Sequence, residues 1–315
     1  MQPGDTVSLR VATPGGPTDL VGVVLALASD TLTLRRRDGA VITVPVADVR
    51  AGRVVPPGPA ARTPVADLAR IAERGWRALE VEPLGEWLLR AAGGFTNRAN
   101  SVLPVGDPGM PLPAALDRVE RWYAGRQLPP KAQVVTGATA PELTALLDER
   151  GWVPTWPSQV MVAELGPVLR PAKADPLSEV RLDEQPDDAW FAAYRHEMPG
   201  RVDGGLPPAA RTLLTNHDTV TFASIRDGDR CVAIARAAVD GRWVGLFGVE
   251  VARDLRRRGL GRRVSLAALR WAVARGARRA YLQVAAENAT AIALYAGLGF
   301  ARHHDYMHCL GNVDG

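Results

Sequence analysis

Apolar and polar positions alternate with a period of two near the start of the chain and switch to a helical period further on. Thr6–Ala12, Leu20–Ala28, Thr31–Arg36 and Val41–Val46 read as short strands, joined by turn residues at Pro14–Pro17, Ser29-Asp30 and Asp38-Gly39. The Asp-Gly pair between alternating segments is a hairpin signal. The stretch Val54–Ala60, rich in proline, reads as a stiff linker. Beyond it the pattern predicts a helix at Ala66–Arg74 and a strand at Glu86–Ala92, with Ser101–Val105 continuing a sheet. A helix at Leu112–Gly125 follows, with Leu116, Val119 and Tyr123 on its apolar face. Then come a strand at Ala132–Thr136, a helix at Pro141–Arg150 and a strand at Ser158–Leu165. The last third opens with helices around Asp187–His196 and Pro207–Thr215. Strands at Thr219–Ile225, Cys231–Val239 and Trp243–Val251 follow, then a helix with Leu260, Val264, Ala267, Ala268 and Trp271 on one face.

Between the last of those strands and that helix lies Arg256-Arg257-Arg258-Gly259-Leu260-Gly261-Arg262-Arg263. The first turn of a helix leaves backbone N–H groups without partners, and the helix dipole draws anions to that end. Gly259 and Gly261 keep side chains away from the backbone, and the arginines add forked donors. The arrangement predicts a diphosphate cradle. No Gly-Lys-Ser/Thr follows, so it is not the Walker loop. Val264 stands where the third glycine of a dinucleotide fingerprint would be.

The spacing Arg256-x-x-Gly259-x-Gly261 resembles the acetyl-CoA loop of the GNAT N-acetyltransferase superfamily. After a strand at Tyr281–Val284, the segment Asn288 to Phe300 is similar to that family's N-x-x-A-x-x-L-Y-x-x-x-G-F motif. The two motifs occur in order and cover about residues 220 to 305. The resemblance implies an α/β fold with a mixed sheet (α+β in its ordering of elements), whose two central strands splay to admit acetyl-CoA. It implies transfer of an acetyl group to a primary amine. Val249, Val251, Arg256, Arg257, Arg258, Gly259, Leu260, Gly261, Arg262, Asn288 and Tyr295 are the expected contacts to acetyl-CoA, and Tyr295 and Glu250 the expected catalytic residues.

The element order of the C-terminal part also occurs in the middle of the chain, at an offset of 148 or 149 residues (Trp122 with Trp271, Gly151 with Gly299). This suggests two GNAT-like halves in tandem, over residues 65–170 and 178–315, joined by a linker at 171–177. The first half departs where acetyl-CoA binding would need it. Its loop reads Gly106-Asp107-Pro108-Gly109-Met110-Pro111, with no arginine and with two prolines that lack N–H groups. Leu147 stands opposite Tyr295, and Ala140 opposite Asn288. This half is expected either to complete the acceptor pocket, with Asn97, Arg98 and Asn100 as candidates, or only to pack against its partner. Residues 1–55 resemble an SH3-like barrel in pattern, followed by a linker at 56–64. The barrel is expected to serve docking or self-association, or to be a stabilising appendage.

Acyl transfer from a thioester needs a neutral amine, a polarised carbonyl and a proton or hydrogen bond for the departing thiolate. Tyr295 corresponds to the family's tyrosine near the sulfur; a core aromatic is the competing reading. Glu250 is either the base, direct or through water, or a strand carboxylate paired with an arginine. Asn288 either binds the pantetheine arm or caps its helix. Trp190, Tyr194, His196 and Glu197 lie in a region that often lines the acceptor site in this family, with core packing the reading preferred for Trp190. His303, His304, His308 and Cys309 resemble metal ligands but have no second ligand pair, so no metal is expected.

Composition narrows the alternatives. The chain has 315 residues, a net charge of +4 and 38 basic residues, of which Lys131 and Lys173 are the lysines. Apart from Arg35-Arg36-Arg37 and the loop above, the basic residues are scattered, which argues against nucleic acid as a partner. No apolar run has the length of a membrane span, and the start has no charged and apolar leader pattern. Two cysteines, Cys231 and Cys309, make no disulfide framework and fit a reduced, cytoplasmic setting. The acceptor is expected to be a small-molecule or protein amine. A protein that binds CoA without catalysis, using its front and middle parts as docking surfaces, is the alternative.

Overall fold

The alternating N-terminal segment builds a five-stranded antiparallel sheet: β1 (Thr6–Val11), β2 (Thr18–Leu27), β3 (Thr31–Arg36), β4 (Val41–Pro45) and β5 (Val49–Val54), in the order β4-β3-β2-β1-β5. Val7, Leu9 and Val11 on β1 and Leu32 and Leu34 on β3 point to one buried face with Val24 and Val44, as a period of two requires. β4 and β5 are the edges. No pairing closes them among the described residues, so the expected barrel is present as a sheet. The computed structural model describes residues 1–3, 5–36, 40–55, 58–169, 179–194 and 206–311. The turn at Asp38-Gly39, Pro56-Pro57 of the first linker, the whole 171–177 linker, His196 and Glu197 lie outside them.

The middle of the chain contributes α1 (Val65–Gly75), the hairpin β6 (Glu80–Leu84) and β7 (Trp87–Ala91), α2 (Leu112–Ala124), β8 (Lys131–Val135), α3 (Pro141–Glu149), β9 (Val153–Glu164) and α4 (Leu165–Val168). Ser101–Val105 forms bridges at Val102 and Leu103 and not a full strand. The last part adds β10 (Arg181–Asp183), α5 (Asp188–Ala193), α6 (Pro208–Thr215), β11 (Val220–Asp227), β12 (Arg230–Asp240), β13 (Trp243–Val251), α7 (Leu260–Ala274), β14 (Arg279–Ala285), α8 (Ala289–Leu298) and β15 (Ala301–Leu310).

Strands from both parts share one mixed eight-stranded sheet, ordered β10-β11-β12-β13-β14-β9-β15-β8. β9, made in the first part, lies antiparallel between β14 and β15 of the second. β15 in turn lies between β9 and β8. The cores follow the same exchange. One cluster joins Trp76, Phe95 and Val135 to Trp190, Phe247 and Tyr281 across the two parts. Cys309 of β15 is buried in the core of the first part beside Trp122 and Trp152. No helix among the described residues is long and apolar enough to cross a membrane.

Candidate active site

The site begins with a parallel pairing that stops early. β13 and β14 are paired from Trp243↔Arg279 to Leu246↔Leu282, yet β13 runs on to Val251 and β14 to Ala285. Backbone groups of Phe247–Glu250 and Gln283–Ala285 therefore face a gap and not each other. A bulge on the other side of β13 accounts for the separation. Arg236↔Phe247 and Ile234↔Glu250 leave one residue more on β13 than on β12. Gly248 takes the left-handed conformation there, with φ +55°. A Cβ at this position would stand 2.6 Å from Cε2 of Tyr194, so the bulge is packed as well as bent.

The gap is a cleft of about 340 Å³. Gly248, Val249 and Glu250 line it from β13, Gln283 and Val284 from β14, and Asn288 and Tyr295 from the start and body of α8. Asn97, Arg98, Trp156 and Ser158 line it from the first part of the chain, and Tyr194 from the end of α5. The sequence foresaw Asn97 and Arg98. It gave no sign of Trp156 and Ser158, which reach the cleft because β9 is inserted beside β14. Asn100 does not face the cleft. Its carboxamide accepts from the Ala92 and Gly94 N–H groups and donates to the Phe95 and Thr96 carbonyls, which fixes the loop that carries Arg98.

Arg256, Arg257, Arg258, Gly259, Leu260, Gly261 and Arg262 stand outside the cleft lining, beside the outer end of β13. A Cβ on Gly261 would make ordinary contact with Val251 at 3.4 Å and Leu294 at 3.7 Å, which shows how closely the start of α7 meets β13 and α8. Gly259 caps α7 with φ +78° and supplies no side-chain cap, so its own side chain does not cover the start of the helix. Arg257 is also left-handed, with φ +63°, a conformation an arginine rarely adopts. Arg256 Nε donates to the Val251 carbonyl at 3.4 Å and ties the loop to the strand end.

Tyr295 is buried against Phe300, 5.7 Å between ring centroids. Burial pushes its phenol up to about 12, Ser265 opposes the rise, and the Glu250 charge adds to it. Ser265 Oγ faces this region from α7 without a hydrogen bond inside ordinary limits. Tyr194 stacks on Trp190 at 5.6 Å and 15°, and burial raises its phenol further still. Asn288 caps α8, its side chain accepting from the Ala291 N–H at 3.0 Å, while it also lines the cleft. Trp190 is a core residue whose Nε1 donates to the Ala223 carbonyl. Asp240, at the end of β12, is engaged by Arg74 at 2.6 Å.

The histidines have separate surroundings. His303 contacts the Thr63 carbonyl through Nε2 and His304 through Nδ1. His308 is buried at the cleft wall between Trp156 and Tyr306, and neither of its ring nitrogens has a partner among the described residues.

Comparisons with known proteins agree with this geometry. The family model described as "Probable histone acetyltransferase Rv0428c C-terminal" matches residues 64–309. The probable histone acetyltransferase Rv0428c of Mycobacterium tuberculosis is 31% identical over 316 residues, covering 97% of this chain and 93% of that one. The uncharacterized N-acetyltransferase YobR of Bacillus subtilis is 27% identical over 249 residues, covering 75% of this chain and 96% of that one. A solved GCN5-related N-acetyltransferase from Kribbella flavida has the same fold, with a TM-score of 0.57, 20% identity, and coverage of 80% of this chain and 96% of that one.

Proposed function

Because the chain belongs to the Rv0428c-type family of GNAT acetyltransferases, we propose that it moves an acetyl group from acetyl-CoA to a primary amine by direct attack in a ternary complex. The observation that carries this reading is the splay of β13 and β14 beyond Leu246 and Leu282, with the start of α7 at one end and Tyr295 alongside. Backbone groups of Val249 to Val251 have no partner on β14 and suit the amides of a pantetheine arm. The first-turn N–H groups of α7 and Arg256, Arg257, Arg258 and Arg262 suit its diphosphate.

In the reaction the amine nitrogen attacks the thioester carbonyl carbon, the C–S bond breaks, and sulfur leaves as a thiolate. Glu250, beside the cleft, takes the surplus amine proton directly or through water. Tyr295 serves as a hydrogen-bond donor to the sulfur. An ordinary thiol has a pKa of about 8.5. Net transfer from a phenol held near 12 would then cost about 5 kcal/mol, so the phenol stabilises the thiolate without losing its proton.

We read the chain as two GNAT-like halves in tandem, and the reciprocal placement of β9 and β15 supports this. Acetyl-CoA is assigned to the second half only. In the first, the loop corresponding to the α7 cradle is already occupied by the protein's own carboxylates. The Asp107 N–H donates to Glu86 Oε2 at 2.7 Å and the Gly109 N–H to Asp107 Oδ1 at 2.8 Å.

A thiol-release assay with acetyl-CoA and a panel of amines, combined with calorimetry of acetyl-CoA binding, tests the proposal. Turnover is expected. Binding without turnover on any amine would favour a CoA-binding scaffold, and absence of binding would end both readings.

A further inference from the structure

The wall of the cleft around Arg98 gathers positive charge from both parts of the chain. Arg98 lines the cleft with its guanidinium over the rings of Trp76 and Phe247, 4.8 Å and 5.6 Å from their centroids. Its Nη1 donates to Gln283 Oε1 at 2.5 Å, and it forms no ion pair with a carboxylate among the described residues. Behind it Arg236 is fully buried over the same two rings. Its Nε and Nη1 donate to the Leu214 and Gly75 carbonyls, and Nη2 has no partner among the described residues. Lys131 is buried with Nζ on Asn97 Oδ1 at 3.0 Å, and Asn97 lines the cleft. Arg90 is buried with its donors on Ser101 and Gln133. None of these four cations forms an ion pair among the described residues.

Burying a cation without a counter-charge costs free energy. Burial lowers Lys131, lowers Arg90 against the opposing charge of Glu73, and brings Arg236 down to about 10, which still leaves Arg236 charged at neutral pH. His308, at the same wall, is held neutral by burial and by the charges of Arg90, Arg98 and Lys131. Across the cleft, Glu250 is the one carboxylate among the described lining residues. Among the described lining residues the charged groups therefore stand apart, Glu250 on β13 and Arg98 on the opposite wall. A molecule carrying an amine at one end and an anion at the other matches both walls, and the Arg98 fork matches a carboxylate in shape.

We propose that the acceptor is a small primary amine bearing a carboxylate, with the carboxylate on Arg98 and the amine toward Glu250. The proposal rests on the acetyl-transfer reading and names its substrate class. A lysine-rich polypeptide would bring further positive charge to a wall that already has an excess.

The test is steady-state thiol release by the full chain with acetyl-CoA. The acceptors are the α-amino acids, β-alanine and γ-aminobutyrate, each as free acid and as amide, together with a lysine-rich peptide. At least one free acid should be turned over with a kcat/KM about 10- to 100-fold above its amide and above the peptide, as a charge-assisted forked pair implies. In Arg98→Gln that preference should collapse toward one, through a higher KM for the acid with the affinity for acetyl-CoA unchanged. Arg98→Lys should recover only part of it. An amide or the peptide used as well as the acid, or no turnover of any free acid, overturns the proposal. Calorimetry separates the two failures. Bound acetyl-CoA without a carboxylate preference removes this proposal alone, whereas no binding of acetyl-CoA removes the acetyltransferase reading beneath it.

Discussion

Replacing Gly248 with alanine tests whether the bulge in β13 is held by packing. An L side chain at the left-handed φ of +55° costs about 1–2 kcal/mol. The new Cβ would also meet Cε2 and Cδ2 of Tyr194 at 2.6 Å and 3.2 Å. That ring is confined by Trp190 at 5.6 Å and Phe95 at 6.3 Å, so the overlap costs about another 1–3 kcal/mol. Gly248→Ala should therefore destabilise the protein by about 2–5 kcal/mol, a large share of a usual 5–15 kcal/mol. Urea denaturation of the parent, Gly248→Ala, Tyr194→Leu and the double variant resolves the two contributions. Leucine at 194 removes Cε2, so the alanine should cost only its backbone share in that background. The coupling energy should be about 1–3 kcal/mol, in the sense that the second change does less harm than the first. A coupling below about 0.5 kcal/mol, or a Gly248→Ala protein as stable as its parent, would refute the reasoning.

Tyr295→Phe removes one hydrogen bond to a charged sulfur, so kcat should fall about 10- to 100-fold with the calorimetric affinity for acetyl-CoA within about twofold; unchanged turnover would exclude the assigned role. Burial holds His217 and His304 down at about 4 against an ordinary 6.5, so between those values the unfolded chain binds more protons than the folded one. Stability should be full above pH 6.5 and decline as pH falls toward 4. The slope approaches about 1.4 kcal/mol per pH unit for buried His304 and is smaller for half-buried, water-screened His217. His304→Asn should flatten that decline in denaturation midpoints measured across the acid range, and an unaltered slope would exclude His304 as a contributor.

The strand-to-helix turn after β13 and the cleft residues on α8 were legible because they depend on local spacing. Arg256, Gly259 and Gly261 sit on one strand-to-helix turn, and Asn288 and Tyr295 on one helix. The strand Val49–Val54 was missed because all but its first residue are exposed, leaving no alternation to read. β6 was missed because Glu80, Glu82 and Pro83 disguise it. β9 was predicted too short, since Pro154 and Pro157 suggest a loop. Those prolines are tolerated because the stretch before Ser158 pairs with β15 alone and owes no N–H to β14. The wall around Arg98 was half visible. The pattern pointed to Asn97 and Arg98, but the convergence of Lys131, Arg236 and His308 behind them depends on strand order, which no short-range spacing encodes.

That strand order has a price during synthesis. When Glu164 leaves the ribosome, β9 is complete, but β14 and β15, the strands on its two sides, have not been made. At about 5–20 residues per second, the wait until residue 310 emerges is on the order of ten to thirty seconds. A largely apolar ribbon, Val160 to Ala163 among it, has both hydrogen-bonding edges open to other chains until β14 emerges and one edge open until β15 follows. Slowing the last part of translation, or cutting the message short of β15, should therefore drive this protein toward aggregation more than toward a working fragment.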